Sequence, residues 1–148
     1  MKKTQHDHNY HFSCWAINYD HSSNSEHTYR KNSLIHNDGK IVPLIWNHDH
    51  IDPTSVIGYA SLEHRDAGVF VYGTLNAGGY YTPTIIQLIQ NKGLLSLSPF
   101  ITQVEYDGIS IRRGIISEVS LVYERIDPNE LYYPVPYKKE ESDVSESA

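Results

Sequence analysis

The chain is poor in the residues that staple small domains. Cys14 is the single cysteine among 148 residues, so no intramolecular disulfide can form and no cysteine cluster exists for zinc. A reducing, intracellular compartment is the expectation that follows. Cations are also scarce: 12 Lys and Arg face 18 Asp and Glu, for a net charge of −6. Phosphate binding needs clustered Lys and Arg, so nucleic acid is excluded as the main partner. The pairs Arg112–Arg113 and Lys138–Lys139 read as solvated surface. Long apolar runs are missing, and none approaches the roughly 20 residues a membrane-spanning helix requires. The opening MKKTQHDHNYHF has two lysines with no apolar stretch behind them, which does not read as a secretory signal. A mean hydropathy of −0.48 fits a soluble protein with no membrane partner.

What remains is enough for one domain with its own core. Residues 1–11 are polar and histidine-rich and are expected to be loose, as is the acidic tail 138–148, KKEESDVSESA, whose charge and serine content mark disorder. Between Asn18 and Lys40 the chain is polar, with no good strand before Ile41; a loop of that length is expected to be functional or mobile. From Ile41 onward the pattern is mainly strand. IVPLIW is a short apolar run, and VIGYASLEH and GVFVYGTL alternate on either side of the turn RDAG. TPTIIQLIQNKG is the one clear helix: Thr82 caps it, Pro83 suits its first position, Ile85, Leu88 and Ile89 share a face, and Gly93 supplies a left-handed stop. LLSLSPFITQVEY and ISIRRGIISEVSLVYE follow, joined by a turn at Asp107–Gly108. The reading is mostly β, or α+β: a closed or nearly closed β-barrel, residues 12–137, with one or two peripheral helices.

Histidine is plentiful, with 9 in the chain, and LIWNHDHID at 44–52 is its densest cluster. His48, His50 and Asp52 have the alternation that lets neighbouring imidazoles and a carboxylate reach one Zn²⁺. A metallohydrolase needs further ligands from later strands, and after His50 only His64 remains. No metal and no cofactor is therefore expected. His64 follows an alternating strand and precedes a turn, which places it at the surface. The other reading is nucleophilic: a serine hydrolase needs a hydroxyl, a base and a group that orients the base. WNHD at 46–49, GLLSLSPF at 93–100 and EVSLV at 118–122 could supply them. Ser98 is a hydroxyl amid Leu95, Leu97 and Phe100. Glu118 shares a face with Ser120, opposite Val119 and Leu121, and is either solvated or paired inside a site.

The order of these stretches resembles the tailed-phage prohead proteases, the caudoviral relatives of the herpesvirus assemblins. The matching residues are Trp46, His48 and Asp49, then Ile57–Gly58, the strand DAGVFVYGTL, the helix leading into GLLSLSPF, the strand EVSLV, and Asp127–Pro128–Asn129. The likeness runs from Phe12 to Pro128. It implies an assemblin-like protease domain over 12–137 and a serine endopeptidase with Ser98 as nucleophile, His48 as general base and acid, and Glu118 orienting His48. It further implies a capsid-maturation role: cleavage of scaffold or of the N-terminal arm of the major capsid protein, and of the protease itself, inside a procapsid in the host bacterial cytoplasm. Assemblins gain activity on dimerising, so a homo-oligomer is implied as well. Ser96 is the rival nucleophile and His50 the rival base; an inactive assembly module of the same fold is the first rival function, and a zinc hydrolase using His48, His50 and Asp52 the second. The chain departs from the family at Ser98–Pro99–Phe100, where Ser-Ile-Gly-Phe is frequent, and its 20–40 region lacks the family's N-terminal signals.

Overall fold

Alternating burial builds the sheet. In β1 (Tyr10–Asn18) the side chains of Phe12, Cys14 and Ala16 point inward and those between them outward, as the two-residue period of a strand requires. A computed structural model describes residues 9–19, 28–49, 51–124 and 133–137. Most of the loose segment expected at 1–11, and all of the tail 138–148, lie outside the described residues, although Tyr10 and His11 already belong to β1.

Among the described residues the strands after β1 are β2 (Thr28–Tyr29), β3 (Ile41–Trp46), β4 (Val56–Arg65), β5 (Gly68–Leu75), β6 (Leu95–Asp107), β7 (Ser110–Tyr123) and β8 (Val135–Pro136), with one α-helix, α1 (Thr82–Gln90), between β5 and β6. They form a single sheet in the order β2-β7-β3-β4-β5-β1-β8, with β6 along the other edge of β7. β4 and β5 make a hairpin around Asp66–Ala67, and β6 and β7 a long one around Gly108, whose φ is 68°. β3 runs parallel to the end of β7, pairing Leu44, Ile45 and Trp46 with Val119, Ser120 and Leu121. The 18–40 stretch is less irregular than its composition suggests: β2 pairs in parallel with Ser110 and Ile111.

The expected barrel does not close. Among the described residues no ladder joins β6 to β1 or β8, so the sheet curls around the core and stays open. The missing wall is partly helical: α1 contributes Ile85 and Ile89, 0% and 2% exposed, to the core of Phe12, Leu44, Leu62, Val71, Leu97 and Leu121. Each such side chain stabilises the fold by about 1.5–3 kcal/mol, and the helix supplies that burial without a ladder. Thr82 is not the cap of α1. Tyr81 holds the capping position in a helical conformation with no side-chain bond, and the Thr82 hydroxyl donates to the Asn76 carbonyl at 2.7 Å. Gly93, at φ 88°, takes the left-handed conformation expected of it.

His64 also departs from expectation. It continues the inward alternation of Ala60 and Leu62, its ring lies 5.6 Å from that of Tyr19, and its Nε2 is buried without a hydrogen-bond partner among the described residues. Alternation outweighed the nearby turn.

Candidate active site

The ladders fix which side chains share the outer face. Ser98 pairs with Ser120, Phe100 with Glu118 and Ser96 with Val122 across β6 and β7. Residues directly opposite in an antiparallel pair project to the same side, with Cα atoms about 4.5–5.5 Å apart. Val119 and Leu121 point into the core at 0% exposure. Ser98, Ser120 and Glu118 therefore stand on the outer face, Glu118 one period, about 7 Å, along the strand from Ser120. Ser98 and Glu118 are half-buried. Ile45 of β3 adjoins Ser120 on this face and is 3% exposed.

His48 reaches the same face through a strained turn. Asn47 and His48 have φ of 58° and 65°, and the Asp49 N–H donates to the Trp46 carbonyl at 3.2 Å. Two successive residues in the left-handed region closed by that bond make a type I′ turn, usually built with glycine. Each non-glycine residue there costs about 1 kcal/mol. Two bonds to β7 hold it: Asn47 N–H donates to the Leu121 carbonyl at 2.7 Å, and His48 N–H donates to Ser120 Oγ at 2.7 Å. Trp46 anchors the end of β3 against Tyr81, ring centroids 6.0 Å apart.

The turn sets the His48 main chain beside Ser120, directly across from Ser98, with its side chain exposed. No hydrogen bond joins Ser98 to His48; the Ser98 hydroxyl has no partner among the described residues. Hydrogen bonds between reacting groups are commonly long or absent before substrate binds. Pro99 follows Ser98 and has no N–H, so it can donate nothing to an oxyanion formed there.

The neighbouring candidates have other partners. Ser96 Oγ donates to Glu124 Oε1 at 3.3 Å. Asp49 Oδ1 accepts the N–H groups of Ile51 and Asp52, both at 3.1 Å, and Asp52 Oδ1 accepts from Thr54 N–H and Oγ1 at 3.0 and 2.8 Å. Both carboxylates thus shape the loop after His48. His50 lies outside the described residues, and among those described no three His, Cys, Asp or Glu side chains converge as metal ligands would. Arg112 pairs with Glu105 at 2.9 Å on the exposed part of the β6–β7 hairpin. Ser120, which the sequence shows only as a hydroxyl on the outer side of a strand whose inward neighbours are both apolar, is the residue that ties the His48 turn to β7.

No family model matches the chain, and no curated protein matches it. Among solved structures it is similar to KSHV protease in complex with a hexapeptide phosphonate inhibitor, at 12% identity and a TM-score of 0.47, over 77% of this chain and 59% of that one. The chain thus spans less than two thirds of that protein's length. A likeness of this degree transfers no residue role and no activity. No helix of the described residues is long and apolar enough to cross a membrane.

Proposed function

We propose that this chain is a serine endopeptidase of the prohead-protease kind, acting on scaffold or on the N-terminal arm of a capsid protein, and on itself, within an assembling procapsid. The observation that carries the reading is the shared outer face of Ser98 and Glu118, with the His48 turn tied to Ser120 directly across from Ser98. In the mechanism, the His48 imidazole takes the proton of Ser98 as Oγ attacks the scissile carbonyl, then gives it to the leaving amine; Glu118 orients the ring and stabilises its cationic form. The ordered resemblance to prohead proteases supports the substrate class.

A second reading, an inactive assembly module of the same fold, is favoured by the missing hydrogen bond between Ser98 and His48. One experiment separates the two. Purified protein is treated with a peptidyl phosphonate and its intact mass and modified residue are determined; a co-expressed capsid protein is assayed for cleavage in parallel. The peptidase reading expects modification at Ser98, and loss of both modification and cleavage in Ser98→Ala and His48→Ala. Cleavage that persists in Ser98→Ala, or a wild type that neither reacts nor cleaves, removes it.

A further inference from the structure

We propose that Ser120 is a positioning residue for His48, holding the turn that presents the imidazole to Ser98. The consequence for rate rests on the peptidase reading; the placement rests on the geometry alone.

Ser120 is 2% exposed, and its hydroxyl makes two bonds: it donates to the Ile45 carbonyl at 3.1 Å and accepts the His48 N–H at 2.7 Å. A hydroxyl has one proton, and here that proton is directed at Ile45. Ser120 therefore directs its donor at Ile45 and not at Ser98, although it faces Ser98 across the ladder. Its bonds join the end of β3 to the turn three residues later. They do so where the β3–β4 pairing shifts register between Leu44 and Ile45.

Residue identity matters at 120 more than at its neighbour. The bond from Asn47 to Leu121 joins main chain to main chain, and any residue at 121 can accept it. The bond from His48 needs a side-chain acceptor of serine's length. Because Asn47 and His48 both occupy the left-handed region, releasing the turn would relieve strain, and the Ser120 hydroxyl holds the conformation that keeps the His48 main chain beside the outer face. Without it the His48 Cα is free to shift, and a misplacement of about 1 Å slows a reaction roughly 100-fold.

The test compares wild type, Ser120→Ala and Ser120→Thr in two measurements: phosphonate modification of Ser98, resolved into a maximal rate and a half-saturating concentration, and hydrogen exchange of the His48 amide. Ser120→Ala is expected to slow the maximal rate about 100-fold, leave half-saturation within about two-fold, and strip the His48 amide of its protection. Ser120→Thr, which keeps a hydroxyl, is expected to restore both. A Ser120→Ala protein as reactive as wild type overturns the positioning role and leaves the peptidase reading standing. So does a slow variant whose His48 amide stays protected, or a Thr variant that regains protection without rate. A wild type with no reactivity at Ser98 overturns the peptidase reading, and the positioning role with it.

Discussion

Ser98 and Ser120 face each other across the β6–β7 ladder, yet their hydroxyls are in opposite states: that of Ser120 is buried with two hydrogen bonds, and that of Ser98 has no partner among the described residues. Stability should read out the difference. Ser98→Ala removes no bond and is expected to change the unfolding free energy by no more than about 0.5 kcal/mol. Ser120→Ala leaves the Ile45 carbonyl and the His48 N–H without the partner they have, at a cost of about 1–3 kcal/mol. Urea denaturation of the two variants checks this; equal stabilities would mean that the Ser120 bonds are not maintained in solution.

The turn that carries His48 holds two non-glycine residues at positive φ, so on the proposed reading stability and reactivity should separate there. Glycine adopts a φ of 65° without steric cost. His48→Gly is expected to be as stable as wild type, or more stable by up to about 1 kcal/mol, and inactive. His48→Val places a β-branched residue where it fits worst and is expected to lose about 1–2 kcal/mol. Thermal unfolding with phosphonate modification gives both readouts; a His48→Gly protein clearly less stable than wild type would remove the strain from the account.

How far the sequence could be read depended on the range of the interaction behind each feature. Local features were legible: the period-2 pattern of β4 and β5 and the turn at Asp66–Ala67, the helix bounded by Pro83 and Gly93, and the inward Val119 and Leu121 against the outward Glu118 and Ser120. Features made by distant pairing were not. Tyr10 and His11 look like loose polar chain until they pair with Leu75 and Thr74. The open edge between β6 and β1 follows from where α1 packs, which alternation does not encode. Nor does the turn at Asn47–His48 announce itself, since neither residue is glycine and its left-handed conformation is held by β7, more than seventy positions away.

Gly58, one of the residues carrying the family resemblance, has a packing explanation. A Cβ at that position would lie 1.8 Å from the Thr74 carbonyl oxygen, at the end of the β4–β5 ladder where Gly58 pairs with Leu75. Backbone cannot yield as a side-chain tip can. Gly58→Ala is expected to lose more than about 3 kcal/mol or to accumulate as insoluble protein. Gly39→Ala meets no atom within 4 Å, although its φ of 84° still costs about 1 kcal/mol. Soluble yield and denaturant midpoints rank the two, and a Gly58→Ala protein as stable as Gly39→Ala would contradict the packing.

The described part of the polar 18–40 stretch is fastened by Asn37, which is 1% exposed. Its amide donates to the Leu34 and Gly114 carbonyls, both at 3.1 Å, and its Oδ1 accepts the Ile116 N–H at 2.9 Å. Asn37→Ala leaves three buried backbone groups without those bonds and is expected to cost about 3 kcal/mol or more. Asn37→Asp keeps the acceptor for Ile116 but loses both donors, so it too should be destabilised. Hydrogen exchange at Ile116 distinguishes them, with protection lost in Asn37→Ala and partly kept in Asn37→Asp.

Alkaline pH offers a test of the core itself. Cys14 is 3% exposed, and burial pushes its thiol well above the ordinary range, because the thiolate would lose its hydration. In the unfolded chain the thiol ionises near its usual pKa of about 8.5. Below that pH both states hold the proton and Cys14 contributes no slope. Above it the unfolded state releases the proton and the folded state keeps it, so stability falls as pH rises, by up to about 1.4 kcal/mol per unit. Burial also raises Tyr10, Tyr19, Tyr29 and Tyr72, whose unfolded forms ionise near 10, but these are common to wild type and Cys14→Ala, so the difference between the two proteins between about 8.5 and 10 reports the thiol. Cys14→Ala is expected to be less stable than wild type at neutral pH and to lose stability more slowly across that interval. Urea denaturation at three pH values within it gives the two slopes. Identical slopes would mean that Cys14 ionises inside the fold, and that the β1 face it occupies is open to water.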